Sequence, residues 1–199
     1  MNYDVVINRL FKDIAIIEYG IIKGNSTIVF IKVGQDGSIY GYDNKYLKIA
    51  KELKEKYGYS VITSSNPFDG NNPLDHDMSI IKEYAKENDF VDYQVYYMGH
   101  SNGARIGISW GYKYSEIKRM LLINSPIFIN WHILKNGIKE NENQKMILVY
   151  GTKDNSYRYV ELIKPLLNDN KKLVIINEAD HDFTNMLDDF ISLPINYFQ

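Results

Sequence analysis

The chain has 199 residues, 45% of them hydrophobic, and its 23 basic and 25 acidic side chains leave a net charge of −2. That length fits one domain, residues 1–199, and the balanced charge excludes the clustered Lys/Arg excess that nucleic-acid binding requires. Cysteine is absent, which excludes disulfides, thiolate catalysis and Cys-ligated zinc. No apolar run approaches the roughly 18 residues of a membrane span, and the N-terminal segment, with Asp4, Arg9 and Lys12, lacks a signal-peptide apolar stretch. The expectation is a soluble cytoplasmic protein with no membrane span and no nucleic-acid partner.

Short β-rich runs alternate with longer runs of helical period. Residues 4–10 and 13–19 lie close enough to form an antiparallel pair. Residues 26–33 (STIVFIKV) are almost unbroken in apolar character except for Lys32, as in strands buried on both faces of a parallel sheet. Residues 44–57 place Leu47, Ile49, Ala50 and Leu53 on one helical face. A strand at 59–63 and a helix at 74–86 follow. The strand at 93–98 runs directly into a helix at 102–114. Strands at 119–124, 146–150 and 172–177 alternate with helices near 131–139, 157–167 and 184–198. Strand–helix alternation predicts a central, mostly parallel sheet with helices on both faces, and ligands in such sheets bind beyond the carboxyl ends of the strands.

Gly99-His100-Ser101-Asn102-Gly103 fits G-x-S-x-G. Such a strand-to-helix turn is sharp enough to expose a strained serine, and small residues on either side let strand and helix approach. The pattern alone recurs by chance in roughly one chain of this length in fifteen. Its position, after a strand and before a helix, is what makes Ser101 a candidate nucleophile.

A serine hydroxyl needs a base, and the base needs a group that fixes its tautomer. His181 follows the last strand in the run ADHDF and is the candidate base. His132 is its rival, His100 packs beside the elbow, and His76 sits at the surface of a helix start. The candidate acid is Asp154, in the GTKD run just after the strand at 146–150. Aspartate is also a favoured helix cap, and one side chain is not expected to serve both roles fully. Asp180, Asp182 and Asp169 are the alternatives. An oxyanion needs preorganised N–H donors; the expected pair is the backbone of Asn102, after the serine, and of Gln35, in the VGQDG turn after the strand at 26–33.

VGQDG, GHSNG, GTKD and ADHD, each in its place around a predicted strand or helix, resemble the α/β-hydrolase superfamily over residues 25–199. The resemblance implies the α/β-hydrolase fold, with Ser101, Asp154 and His181 as catalytic triad and Gln35 and Asn102 as oxyanion donors. The segment 125–145 leaves room for one helix, so the expected lid is minimal and the site open. The implied activity is a serine hydrolase, carboxylesterase-like, that cleaves an ester, thioester or amide of a small soluble substrate through an acyl-enzyme. Asn66, Phe68 and Trp131 are candidate substrate contacts, and neither cofactor nor metal is expected. The alternative is an idle member of the same fold that only binds a ligand. A nucleotide binder on the same sheet type ranks below both, because no G-x-G-x-x-G or P-loop follows an early strand.

Overall fold

The structure is a computed structural model that describes residues 2–67 and 73–199. One sheet runs through it in the order β1-β2-β4-β3-β5-β6-β7-β8. Its strands are β1 (Val5–Phe11), β2 (Ala15–Ile22), β3 (Asn25–Lys32), β4 (Tyr59–Ser64), β5 (Gln94–His100), β6 (Ile117–Ile123), β7 (Lys145–Gly151) and β8 (Lys171–Ile176). The β1–β2 and β2–β4 pairs are antiparallel, and every pair from β4 to β8 is parallel.

Two apolar layers cover the sheet, and the two-residue period of the strands feeds both. Ile28, Phe30, Tyr97, Leu122 and Leu148 face one side, against Met78 and Ile81 of α2 (Leu74–Glu87), Ala104 and Ile108 of α3 (Asn102–Trp110), and Leu134 and Ile138 of α4 (Trp131–Glu140). Val29, Ile31, Met98, Leu121 and Val149 face the other, against Leu47, Ala50 and Leu53 of α1 (Lys45–Tyr57) and Phe190 and Leu193 of α5 (Leu187–Tyr197). Burial on both faces is why the central strands read as unbroken apolar runs.

Lys32 interrupts the run in β3 because it is fully buried in a polar knot of its own. Its Nζ donates to Ser64 Oγ (2.9 Å) and to the Ser65 carbonyl (3.0 Å), and lies 3.0 Å from Asp77 Oδ2 of α2. Asp77 Oδ1 also accepts the Tyr19 hydroxyl at 2.8 Å.

Two expectations fail. Residues 157–167 form no α-helix but two short 3₁₀ segments, Tyr157–Leu162 and Lys164–Leu166. Pro165 has no N–H to donate and its ring crowds the preceding turn, so only short i→i+3 turns form there. His76 is not a surface residue: its ring packs against Phe11 (5.4 Å) and Tyr19 (6.2 Å). Among the described residues no helix is long and apolar enough to cross a membrane.

Candidate active site

Ser101 sits between β5 and α3 with φ 53° and ψ −120°, a backbone state that an L-residue adopts only when its surroundings impose it. Here the imposition is steric. A Cβ on Gly103 would lie 2.1 Å from the Lys32 carbonyl, and one on Gly99 would lie 2.6 Å from the backbone of Ala104. Only glycine permits β3, β5 and α3 to come this close. The Ser101 N–H donates to the Ile123 carbonyl at 2.8 Å, tying the elbow to the neighbouring strand.

Three residues distant in sequence meet at this edge of the sheet. His181 Nε2 lies 2.8 Å from Ser101 Oγ, and His181 Nδ1 lies 2.5 Å from Asp154 Oδ2. Asp154 is buried, and its other oxygen accepts the Ser156 N–H at 2.6 Å. The carboxylate does not cap a helix: one oxygen faces the histidine and the other closes a local turn with the Ser156 N–H, ahead of the 3₁₀ segment whose N-cap position is Ser156. The hydrogen bond that the His181 ring donates to Asp154 raises the His181 pKa above its ordinary 6.5, while partial burial and the Lys45 charge oppose the rise.

The loop that presents His181 is held by its backbone. The His181 carbonyl accepts from Asn124 Nδ2 (2.9 Å) and from His100 Nε2 (2.9 Å). Asn124, wholly buried after β6, also donates to the Asp180 carbonyl (3.0 Å) and accepts the Gly151 N–H (3.0 Å). One amide thus fixes the histidine loop against the strand end that leads to Asp154. Burial pushes the His100 pKa down to about 3, so its imidazole is neutral. Because Nε2 faces a carbonyl it carries the proton, and Nδ1 accepts from the Tyr46 hydroxyl at 3.1 Å. These two bonds join Tyr46 of α1 to the histidine loop through His100. Tyr46→Phe leaves a buried acceptor unpaired at His100, and a urea melt should show a loss of about 1–3 kcal/mol.

In that turn Gly37 N–H bonds back to the Gly34 carbonyl at 3.0 Å, and a Cβ on Gly34 would stand 3.4 Å from the Ser101 Cβ. Neither the Gln35 nor the Asn102 N–H has an acceptor among the described residues. Two unsatisfied donors beside one hydroxyl are what a developing oxyanion needs.

The remaining residues named from sequence fall elsewhere. His132 is exposed on α4 and pairs with Asn136 (3.2 Å). Asp180 accepts the Thr184 N–H (2.8 Å) and shapes the histidine loop, Asp169 is exposed before β8, and Asp182 stands on the cleft rim. Asn66 is not a cleft residue. It is buried, and its amide donates to the Val33 carbonyl (3.0 Å) while its own carbonyl accepts the Asp36 N–H (2.8 Å), so it braces the Gln35 turn. Trp131 is half-buried against the α2–α4 layer, also away from the cleft. Phe68 lies outside the described residues. The cleft itself has a volume of about 680 Å³ and is walled by Gln35, Tyr42, Lys45 and Tyr46 on one side and by His181 to Asn185 and Leu187 on the other, with Ser101 at its base. Sequence periodicity had assigned α1 only its core face and so missed Lys45 and Tyr46, which open that helix.

No family model and no curated protein sequence matches the chain. Solved structures do. Est1E from Butyrivibrio proteoclasticus superposes with a TM-score of 0.76 at 13% identity, covering 97% of each chain. An alpha-beta serine hydrolase homologue from Coxiella burnetii gives 0.73 at 14%, covering 100% of this chain and 99% of its own. The esterase Pf2001 from Pyrococcus furiosus gives 0.70 at 16%, covering 98% and 93%. At such identities the likeness establishes architecture.

Proposed function

We propose that this chain, which has the α/β-hydrolase fold, is a serine hydrolase that cleaves an ester of a small molecule through an acyl-enzyme on Ser101. The observation that carries the reading is the continuous line Asp154–His181–Ser101, with contacts of 2.5 and 2.8 Å. The structural likeness to proteins described as esterases agrees with it.

In the proposed reaction His181 Nε2 takes the Ser101 proton as Oγ attacks the carbonyl carbon. Asp154 stabilises the imidazolium and keeps its ring oriented. The Gln35 and Asn102 N–H groups meet the oxyanion, and collapse of the tetrahedral intermediate expels the alcohol, which receives the proton from His181. Water, deprotonated by the same imidazole, then releases the acid and restores Ser101. Thioesters and amides would follow the same course with a different leaving group. No α4 residue is among the described residues that line the cleft, which favours small, accessible esters over long acyl chains.

A fluorophosphonate probe tests the assignment, because it reacts only with an activated serine. It should label the intact protein at Ser101, found by peptide mass spectrometry, and fail on Ser101→Ala. No label, or equal label on both proteins, removes the reading. Turnover of short p-nitrophenyl esters separates an active enzyme from an idle binder of the same fold.

A further inference from the structure

We infer that the substrate carries a carboxylate, which Lys45 holds; this rests on the serine-hydrolase reading of the same cleft. Lys45 opens α1, is 5% exposed, and lines the cleft together with Ser101 and His181. Its Nζ stands 4.5 Å from the centre of the Phe190 ring and 5.3 Å from that of Tyr46. Its charge opposes protonation of both His100 and His181.

Withdrawing an ammonium from water is unfavourable unless an anion compensates it. Aromatic faces offset part of that penalty, but they do not neutralise the charge. Of the other two buried lysines, both on the sheet, Lys32 has Asp77 at 3.0 Å and Lys171, which opens β8, does not line the cleft. Lys45 has no carboxylate within ion-pair distance among the described residues. Of the two acidic groups that act on it from further away, Asp180 is engaged with the Thr184 N–H and Asp182 is exposed on the rim. A buried cation that faces a cleft and lacks a fixed partner selects for an anion arriving from solvent. Among the described lining residues there is one ammonium and no arginine, with Asp182 at the rim, which matches a single negative charge and disfavours a phosphate dianion.

Two pairs of esters differ only in that charge. Monomethyl succinate is compared with methyl levulinate, and acetoxyacetate with acetoxyacetone, so the carboxylate is offered first on the acyl side and then on the alcohol side. The wild-type protein should favour the anion at least tenfold in kcat/KM in one pair. Lys45→Met should bring that ratio to about one, and Lys45→Arg should keep most of it. Because each ratio is measured within one protein, partial misfolding cancels. Equal turnover within both pairs by the wild type, or a preference that survives Lys45→Met, overturns the inference. Failure of the serine reading is distinguished by the absence of fluorophosphonate labelling. Charge recognition is then read by saturation-transfer NMR of monomethyl succinate and acetoxyacetate on Ser101→Ala protein. Binding of either that requires Lys45 supports the inference, and no binding of either overturns it.

Discussion

Asp154→Asn should lower kcat on a short ester by about 10⁴-fold while leaving the fold intact. The asparagine retains an oxygen to accept the Ser156 N–H, so the turn after β7 stays closed. What is lost is the anion opposite His181 Nδ1, and with it the tautomer that leaves Nε2 free to accept the Ser101 proton. A pH profile provides an independent readout. In the proposed reaction His181 works only as neutral imidazole, and its hydrogen bond to Asp154 raises its pKa above 6.5. The rising limb of kcat/KM in the wild type should therefore be centred above pH 6.5, and in Asp154→Asn it should move towards acid. The same shift has a thermodynamic consequence, since a raised histidine pKa favours the folded state while the ring is protonated. That contribution is complete below the unfolded pKa and disappears as pH rises through the folded one. A kcat within tenfold of wild type, or a limb that does not move, would show that Asp154 does not orient the base.

Much of this arrangement was legible in the residues. Apolar runs marked the strands because both faces of the central sheet are buried, and the elbow could be read because steric closeness there admits only small residues at positions 99 and 103. His181 and Asp154 were expected from their place after β8 and β7, and the structure sets the imidazole between Asp154 and Ser101. The cleft walls were not legible. Gly41, Asp43 and Asn44 all adopt positive φ, at 66°, 49° and 57°, and together they turn the chain so that α1 begins with Lys45 and Tyr46 towards the serine. Hydrophobic periodicity carries no trace of such a turn, because it reports which face of a helix is buried and not where the first residue points. Asn66 misled for a related reason. A polar residue just beyond a strand can face a ligand or bend back onto the backbone, and its amide found the Val33 carbonyl.

Asp77→Ala is expected to be the most destabilising substitution outside the elbow. It leaves the Lys32 ammonium without its counter-charge at a site with no access to water, and breaking one partner of a buried pair costs about 3–5 kcal/mol. For a chain of this size about 2–4 °C is lost per kcal/mol, so the thermal midpoint should fall by roughly 6–20 °C. Replacing both partners, Lys32→Met with Asp77→Leu, should recover part of the loss, because no charge then remains buried. Recovery is incomplete, since the Tyr19 and Ser64 hydroxyls have also bonded to Asp77. A midpoint within 2 °C of wild type for Asp77→Ala would show that the pair contributes little. The effect should also reach the chemistry. Lys32 is the last residue of β3, its carbonyl lies against Gly103, and Val33, Gly34 and Gln35 follow directly. Loosening that anchor shifts the Gln35 donor relative to Ser101, so kcat should fall in Asp77→Ala even at temperatures where the protein is fully folded.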